Sequence, residues 1–354
     1  MKLLMLAAAS SVHTVRWANA FADRGLDVHL ASLHAPHSQM DHRVKVHRLP
    51  YLKGLGYVVN GPLLTRLLRK LKPTVVNAHY ATGYGTLARW CAPVRVVLNV
   101  WGSDVFDFPE KSPLHKRSLV GNLMHAAHIV STSEAMAVRV RSLLPQPRPL
   151  TVVPFGVDTD TFIPRPDDEL RTSMTFGTVK ALEQVYGIDL LIEAFALVVA
   201  QRPSLDLRLR IVGKGGQQAA LHRLAKSSGV ADKVTFVGAV PHDRVPDELR
   251  KMDVFVALSR AESFGVAVIE ASACGLPVVV SNVGGLPEVV RHGVTGLVVP
   301  ASNAFEASVQ MLRLCDAAEL RVQLGSNGRD MVRAEYAWPV CVDRMIKVLQ
   351  NNVR

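Results

Sequence analysis

The run Val254-Phe-Val-Ala-Leu258, the turn that follows it and the second apolar run, Val266 to Cys274, constrain the fold more than any other part of the chain. Five consecutive apolar residues bounded by polar ones read as a strand buried on both faces. Ser263 and Gly265 give a tight turn, and Val266 to Cys274 reads as a helix packed on the sheet. A strand ending at a helix start makes an anion site, because the first amides of a helix have no partner within it. Two carboxylates frame that site, Glu262 just before the helix and Glu270 well inside it. Glu270 has Val266, Ala267, Val268, Ile269, Ala271 and Ala273 around it, so its charge needs donors. A structural ion pair, with an arginine for example, meets that need as a ligand would, and the helix dipole alone favours Glu262. Together, the amides and the two acids suit a diphosphate and a sugar diol.

The same alternation of apolar runs and helical patterns extends along all 354 residues, enough for two α/β domains. Leu3–Leu6 reads as a strand, Ser10-Ser11-Val12 as a turn, Val15–Arg24 as a helix closed by Gly25, and Val28–Ala31 as the next strand. This βαβ opening frames a doubly wound sheet, and its lack of Gly-x-Gly-x-x-Gly counts against hydride transfer. Thr74–Ala78 ends at His79-Tyr80, and Val94–Val100 at Trp101-Gly-Ser-Asp104. Ligands of open sheets bind outside the carboxyl ends of strands, so His79 and Asp104 are candidates for chemistry; each also suits a capped turn. Prolines from Pro145 to Pro166 mark an inter-domain passage. A second series follows, with strands Met174–Val179, Leu207–Val212 (ending at Gly213), Lys233–Val237 and Pro277–Ser281. Trp338–Leu349 reads as a helix that returns to the first domain.

Charge divides the chain. Residues 1–166 carry 20 Lys and Arg against 9 Asp and Glu, while the remainder has 21 of each. The basic half is expected to meet something anionic. Neither a zinc-ligand pattern nor an aromatic-basic motif points to nucleic acid, so an anionic membrane surface is the expected partner. Pro62–Lys72 is a basic amphipathic helix: Leu63, Leu64, Leu67, Leu68 and Leu71 form one face, while Arg66, Arg69 and Lys70 crowd the other. It reads as an ordinary crossover helix with its leucines on the sheet, and its cationic side could also rest against lipid headgroups. No long uncharged apolar run suggests a transmembrane helix. Met1–Ala9 reads as a buried strand rather than a signal peptide, and four cysteines without paired spacing suggest reduced thiols in cytosol. His29, His34, His37, His42 and His47 lack metal-site spacing and read as a polar, exposed loop.

With these residues in view, the chain resembles the retaining GT-B glycosyltransferases of family 4. Glu262 and Glu270 with seven residues between, Gly275-Leu-Pro-Val-Val279 and Gly284-Gly285-Leu-Pro-Glu288 carry the resemblance. Pro154-Phe-Gly-Val-Asp158 and the segment Lys180–Phe195 extend it to essentially the whole chain. The resemblance implies two Rossmann-like doubly wound domains facing across a cleft. Residues 1–163 would form the acceptor domain, with a returning helix at about 336–354, and 164–335 the donor domain. It implies that Glu270 holds the ribose, and that Glu262 contacts the transferred sugar and diphosphate with the backbone of Ser263, Phe264 and Gly265. Lys180 would neutralise the leaving diphosphate. The base would sit near Val237, Gly238 and Val240, with Gly213 also on the donor side. Ser11, Val12 and His13 would form the loop approaching the phosphates and acceptor.

The sequence departs from the family in three places. Tyr186 stands where a lysine precedes Gly187, the first loop lacks Gly-Gly, and Trp101 replaces a histidine, leaving His79 as the nearest imidazole. The implied activity is metal-independent transfer, without a cofactor, from a UDP- or GDP-sugar with retention. The implied acceptor is a glycan or polyprenyl-diphosphate-linked glycan on the cytoplasmic face of the membrane, in bacterial surface polysaccharide synthesis. A soluble acceptor and a non-catalytic nucleotide-sugar-binding protein are the alternatives.

Overall fold

The computed structural model describes residues 1–166 and 173–353; residues 167–172 of the expected donor domain and Arg354 of the expected returning segment lie outside it. The chain divides into two compact units, Met1–Pro154 with Cys341–Arg354, and Phe155–Val340. The boundary therefore falls at Pro154, ahead of the position near 163 expected from the sequence. The linker signature belongs to the second unit because Val157 bridges to Ala337 and Phe162 packs into that unit's core.

The first unit is built on strands β1 (Lys2–Leu6), β2 (Asp27–Ser32), β3 (Lys45–Arg48), β4 (Val75–His79), β5 (Val96–Asn99), β6 (His128–Ser131) and β7 (Leu150–Val152). Their order is β3-β2-β1-β4-β5-β6-β7. The second has β8 (Met174–Val179), β9 (Leu207–Val212), β10 (Val234–Gly238), β11 (Val254–Ala257), β12 (Val278–Ser281) and β13 (Leu297–Val299), ordered β10-β9-β8-β11-β12-β13. Neighbouring strands are parallel in both. Burial explains this arrangement. Successive side chains of a strand point to opposite faces; Val254 and Val256 join one apolar cluster, while Phe255 and Ala257 join another. A sheet covered on both faces needs helical crossovers, which make its strands parallel. In each sheet the strand order reverses once, between β1 and β4 and between β8 and β11, and such reversals are where doubly wound sheets bind ligands.

Several expectations change in detail. The first helix runs Val12–Asp23, three residues earlier than expected, because the Ser11 carbonyl already accepts the Val15 amide at 3.0 Å. Val12 and His13 therefore lie in its first turn rather than in a loop. Residues 29 to 47 are not simply an exposed loop. His29 is buried in β2, His47 lies in β3, and His29 Nδ1 and His47 Nε2 are 2.9 Å apart. The basic helix Gly61–Leu71 buries Leu64, Leu68 and Leu71 but leaves Leu63 exposed.

The last helix, Trp338–Gln350, packs its Cys341–Gln350 part with the first unit, where Arg24 donates to Asp343 at 3.1 Å. Leu349→Ala, at a fully buried position, is expected to cost about 2–5 kcal/mol. Asp343→Ala breaks a partly exposed pair and should cost under about 1 kcal/mol. Urea midpoints of the two variants check the difference.

Candidate active site

The turn after β11 is held from three sides. Arg260 donates its backbone N–H to the Val185 carbonyl at 2.7 Å, and its guanidinium grips both carboxylate oxygens of Asp189 at 2.9 and 2.6 Å. Gly284 lies against the turn with φ +50°, where a Cβ would stand 1.8 Å from the Glu262 carbonyl oxygen. Gly285 donates to that same oxygen at 3.1 Å. Gly265, at φ +107°, then starts the helix Val266–Ala273. Only glycine reaches these conformations without strain. The Gly-Gly of the family motif thus sets where Glu262 stands.

Lys180 follows β8 directly, so it and Glu262 meet at the carboxyl ends of the two strands flanking the reversal. Lys180 Nζ donates to Glu262 Oε2 in a direct ion pair, with only 10% and 12% of the two side chains exposed. The Tyr186 ring lies 5.0 Å from Nζ. The aromatic that replaces the family's usual lysine therefore faces the lysine expected to compensate for it. Gly213, at φ +145°, lets the chain pass the Lys180 carbonyl, where a Cβ would be 1.9 Å away, and its amide donates to Gly238 at 2.8 Å. Gly213, Gly238 and Lys180 are thereby joined by backbone. The strand bulges at Val237, and Val237 and Val240 pack at the edge of the core. The side chain of Phe264 is core, packed near Phe155 and Tyr336, so only its backbone is available to a ligand.

Glu270 is buried, as its apolar neighbours require, and its donor is a histidine rather than an arginine. His242 Nε2 lies 2.8 Å from Glu270 Oε1. Sequence reasoning missed His242; the one signal was the need for a donor facing an acid on an apolar helix. His242 closes the segment that begins with Val237, Gly238 and Val240, so those three positions and Glu270 are linked through it.

The first unit has a cavity of about 760 Å³ lined by Ala8 and Ser11 after β1, and by His79 and Tyr80 at the end of β4. His13 and Trp101 also line it, and Val12 is not among its lining residues. The Trp101 ring lies 5.0 Å from that of His79 and 5.7 Å from that of His13. His79 is buried, with Nε2 2.6 Å from Asn77 Oδ1, and burial lowers its pKa to about 3, aided by His13. It is a neutral imidazole across the working range of pH. Asp104 departs from expectation. It is fully buried and accepts the amides of Ala81 at 2.8 Å, Trp101 at 3.1 Å and Gly102 at 2.9 Å. Burial raises its pKa while those amides oppose the shift. Its carboxylate ties two loops together, so it shapes the cavity from behind.

Gly284→Ala is expected to push the Glu262 turn out of place, costing about 1–3 kcal/mol, whereas Gly229→Ala, with nothing within 4 Å, bears only backbone strain of about 1 kcal/mol. Thermal melts of the two variants test this. His79 takes up its proton more readily unfolded than folded, so its contribution to stability is lost as pH falls from 6.5 towards 3. His79→Gln should give a shallower acid limb in stability measured against pH.

Comparison with known proteins follows the same division. Residues 2–133 match the family described as glycosyl transferase 4-like, and 163–331 match glycosyl transferases group 1. A D-inositol 3-phosphate glycosyltransferase 2 of Catenulispora acidiphila is 31% identical over 294 residues, covering 75% of this chain and 67% of that protein. A GDP-mannose-dependent monoacylated alpha-(1-6)-phosphatidylinositol monomannoside mannosyltransferase of Corynebacterium glutamicum is 33% identical over 219 residues, covering 57% of this chain and 56% of the relative. The chain thus spans little more than half the length of the first curated relatives it matches. The fold is shared with the Anabaena protein HepE in complex with UDP (TM-score 0.83, 20% identity, covering 99% of this chain and 100% of that one). With a parallel Rossmann-like sheet in each unit and matches across both, the chain belongs to the glycosyl transferases of group 1, the family 4 type with the GT-B fold.

Proposed function

We propose that the protein is a retaining, metal-independent glycosyltransferase that moves a sugar from a UDP- or GDP-sugar to a glycan or lipid-linked glycan acceptor. The observation that carries this reading is the Lys180–Glu262 pair beside the start of the helix Val266–Ala273, at the reversal of the second sheet. Breaking the bond between the anomeric carbon and the diphosphate leaves an oxocarbenium-like sugar and adds negative charge to the phosphate. A lysine and the amides of a helix start, already oriented, stabilise that charge without reorganising. Glu262 holds the sugar, and Glu270, kept in place by His242, takes the ribose hydroxyls. The acceptor hydroxyl attacks from the same face as the leaving group departs, and its proton passes to the departing phosphate oxygen. The relatives' names make GDP-mannose the first donor to test, and the UDP complex of HepE makes UDP-glucose the second.

The proposal places this work at a membrane, on its cytoplasmic side. No helix of the described residues is long and apolar enough to cross one. Exposed Tyr51, Leu52, Leu55, Val58 and Val59 precede the basic helix in sequence, and exposed Leu63 lies in it, so that they offer apolar contact close in sequence to its cations. Such a surface brings a lipid-linked acceptor of surface-polysaccharide synthesis within reach.

Lys180→Ala is expected to lower nucleoside-diphosphate release by about 10²- to 10³-fold, with Glu262→Ala at least as damaging; no change in either would refute the assignment. Glu270→Gln should chiefly raise the donor KM, roughly tenfold. An NMR spectrum of the product showing an inverted anomer would exclude retention. Binding to anionic liposomes should fall with salt and be lost on neutralising Arg66, Arg69 and Lys70 together; absence of binding at low salt would remove the membrane from the account.

A further inference from the structure

We infer that the cavity of the first unit takes an uncharged sugar ring of the acceptor, and excludes a phosphorylated one. In calling the occupant an acceptor, the inference rests on the transferase reading above. Its basis is the lining. Residues 1–166 carry the whole excess of positive charge, yet none of the described residues lining this cavity is Asp, Glu, Lys or Arg. A phosphate taken out of water needs cations or several charge-assisted donors. The start of the helix Val12–Asp23, at the Ser11 rim, attracts anions, but with no lysine or arginine among the described lining residues one helix start and its histidine do not offset that desolvation.

What the lining does offer fits a neutral polyol. Trp101 is the centre of a ring cluster, with His79, His13 and Tyr80 at centroid distances of 5.0, 5.7 and 6.4 Å. Aromatic faces suit the apolar C–H face of a pyranose, while Ser11, Thr14, Thr82, Thr86 and Ser118 supply hydroxyls for its edge. A buried group also awaits a partner. His79 is 2% exposed, and its Nδ1 has no hydrogen-bond partner among the described residues. Because Nε2 donates to Asn77 Oδ1, Nδ1 is an acceptor, and a sugar hydroxyl would satisfy it. Tyr80, next in sequence, is held at φ +78°, a conformation that bulky residues adopt only when their surroundings enforce it.

Saturation-transfer NMR on the full chain without donor tests the cavity alone. The probes are the methyl α-glycosides of mannose, glucose, galactose and N-acetylglucosamine, with mannose 6-phosphate and D-inositol 3-phosphate as charged counterparts. At least one neutral glycoside should bind, with each phosphate weaker by about tenfold or more, a floor well below the cost of an unpaired buried charge. Trp101→Ala should weaken the glycoside by about tenfold; Thr82→Val, nearly isosteric and partly exposed, serves if that variant melts early, and should weaken it about threefold. Phosphates binding as tightly as the glycosides, no glycoside binding at all, or folded variants binding unchanged would each overturn the inference. Failure of the transferase reading shows separately, as no nucleoside-diphosphate release with any donor and acceptor pair.

Discussion

Burial of both faces of a parallel sheet is the constraint on which the rest of the structure depends. Once strands as fully buried as β4 and β11 must be covered above and below, the connections become helical crossovers and every strand points the same way. Carboxyl ends then collect on one edge, and the single reversal of strand order opens a gap there. The chain does this twice. At one reversal it places a lysine and a glutamate, and at the other a neutral imidazole and a ring cluster. The two sites share their position in a sheet and differ in the charge they carry.

The Lys180–Glu262 pair is a poor device for stability. Taking both charges largely out of water costs about as much as their attraction returns, and an apolar pair of similar size often does as well. On the proposed reading its value lies in holding a cation ready: an anionic leaving group would give Lys180 a second partner of the same sign as its first, and Glu262 would then accept from a sugar hydroxyl. Glu270 is arranged differently: its histidine partner is half-exposed and can respond to solvent, whereas the acid cannot.

Much of this was legible in the sequence because it follows from local rules. Apolar runs named strands of the second sheet, and the glycines after β12 stood out as part of the family motif, although the close approach they make to Glu262 appears only in the structure. Glu270 was readable as a buried acid in need of a donor. Its partner was not, because His242 lies 28 positions away and only the fold brings the two together. Asp104 was open to two readings, chemistry or a capped turn, and the three amides that donate to it come from loops whose paths a sequence does not reveal. β3 escaped notice because Lys45–Arg48 is a polar edge strand, where neither apolar alternation nor continuous burial is required. Short helices such as Tyr84–Ala88 also escaped, being too brief to show a period.

The crossing of the chain back into its first unit makes the second unit, in connectivity, an insertion between two pieces of the first. During synthesis, residues 1–154 emerge long before the helical segment that covers part of their surface. They must wait, with that surface uncovered, while the intervening 186 residues are made. A fragment ending at Pro154 reproduces this unfinished state permanently. Joining residues 341–353 to it through a short flexible linker would supply the missing cover without the insert.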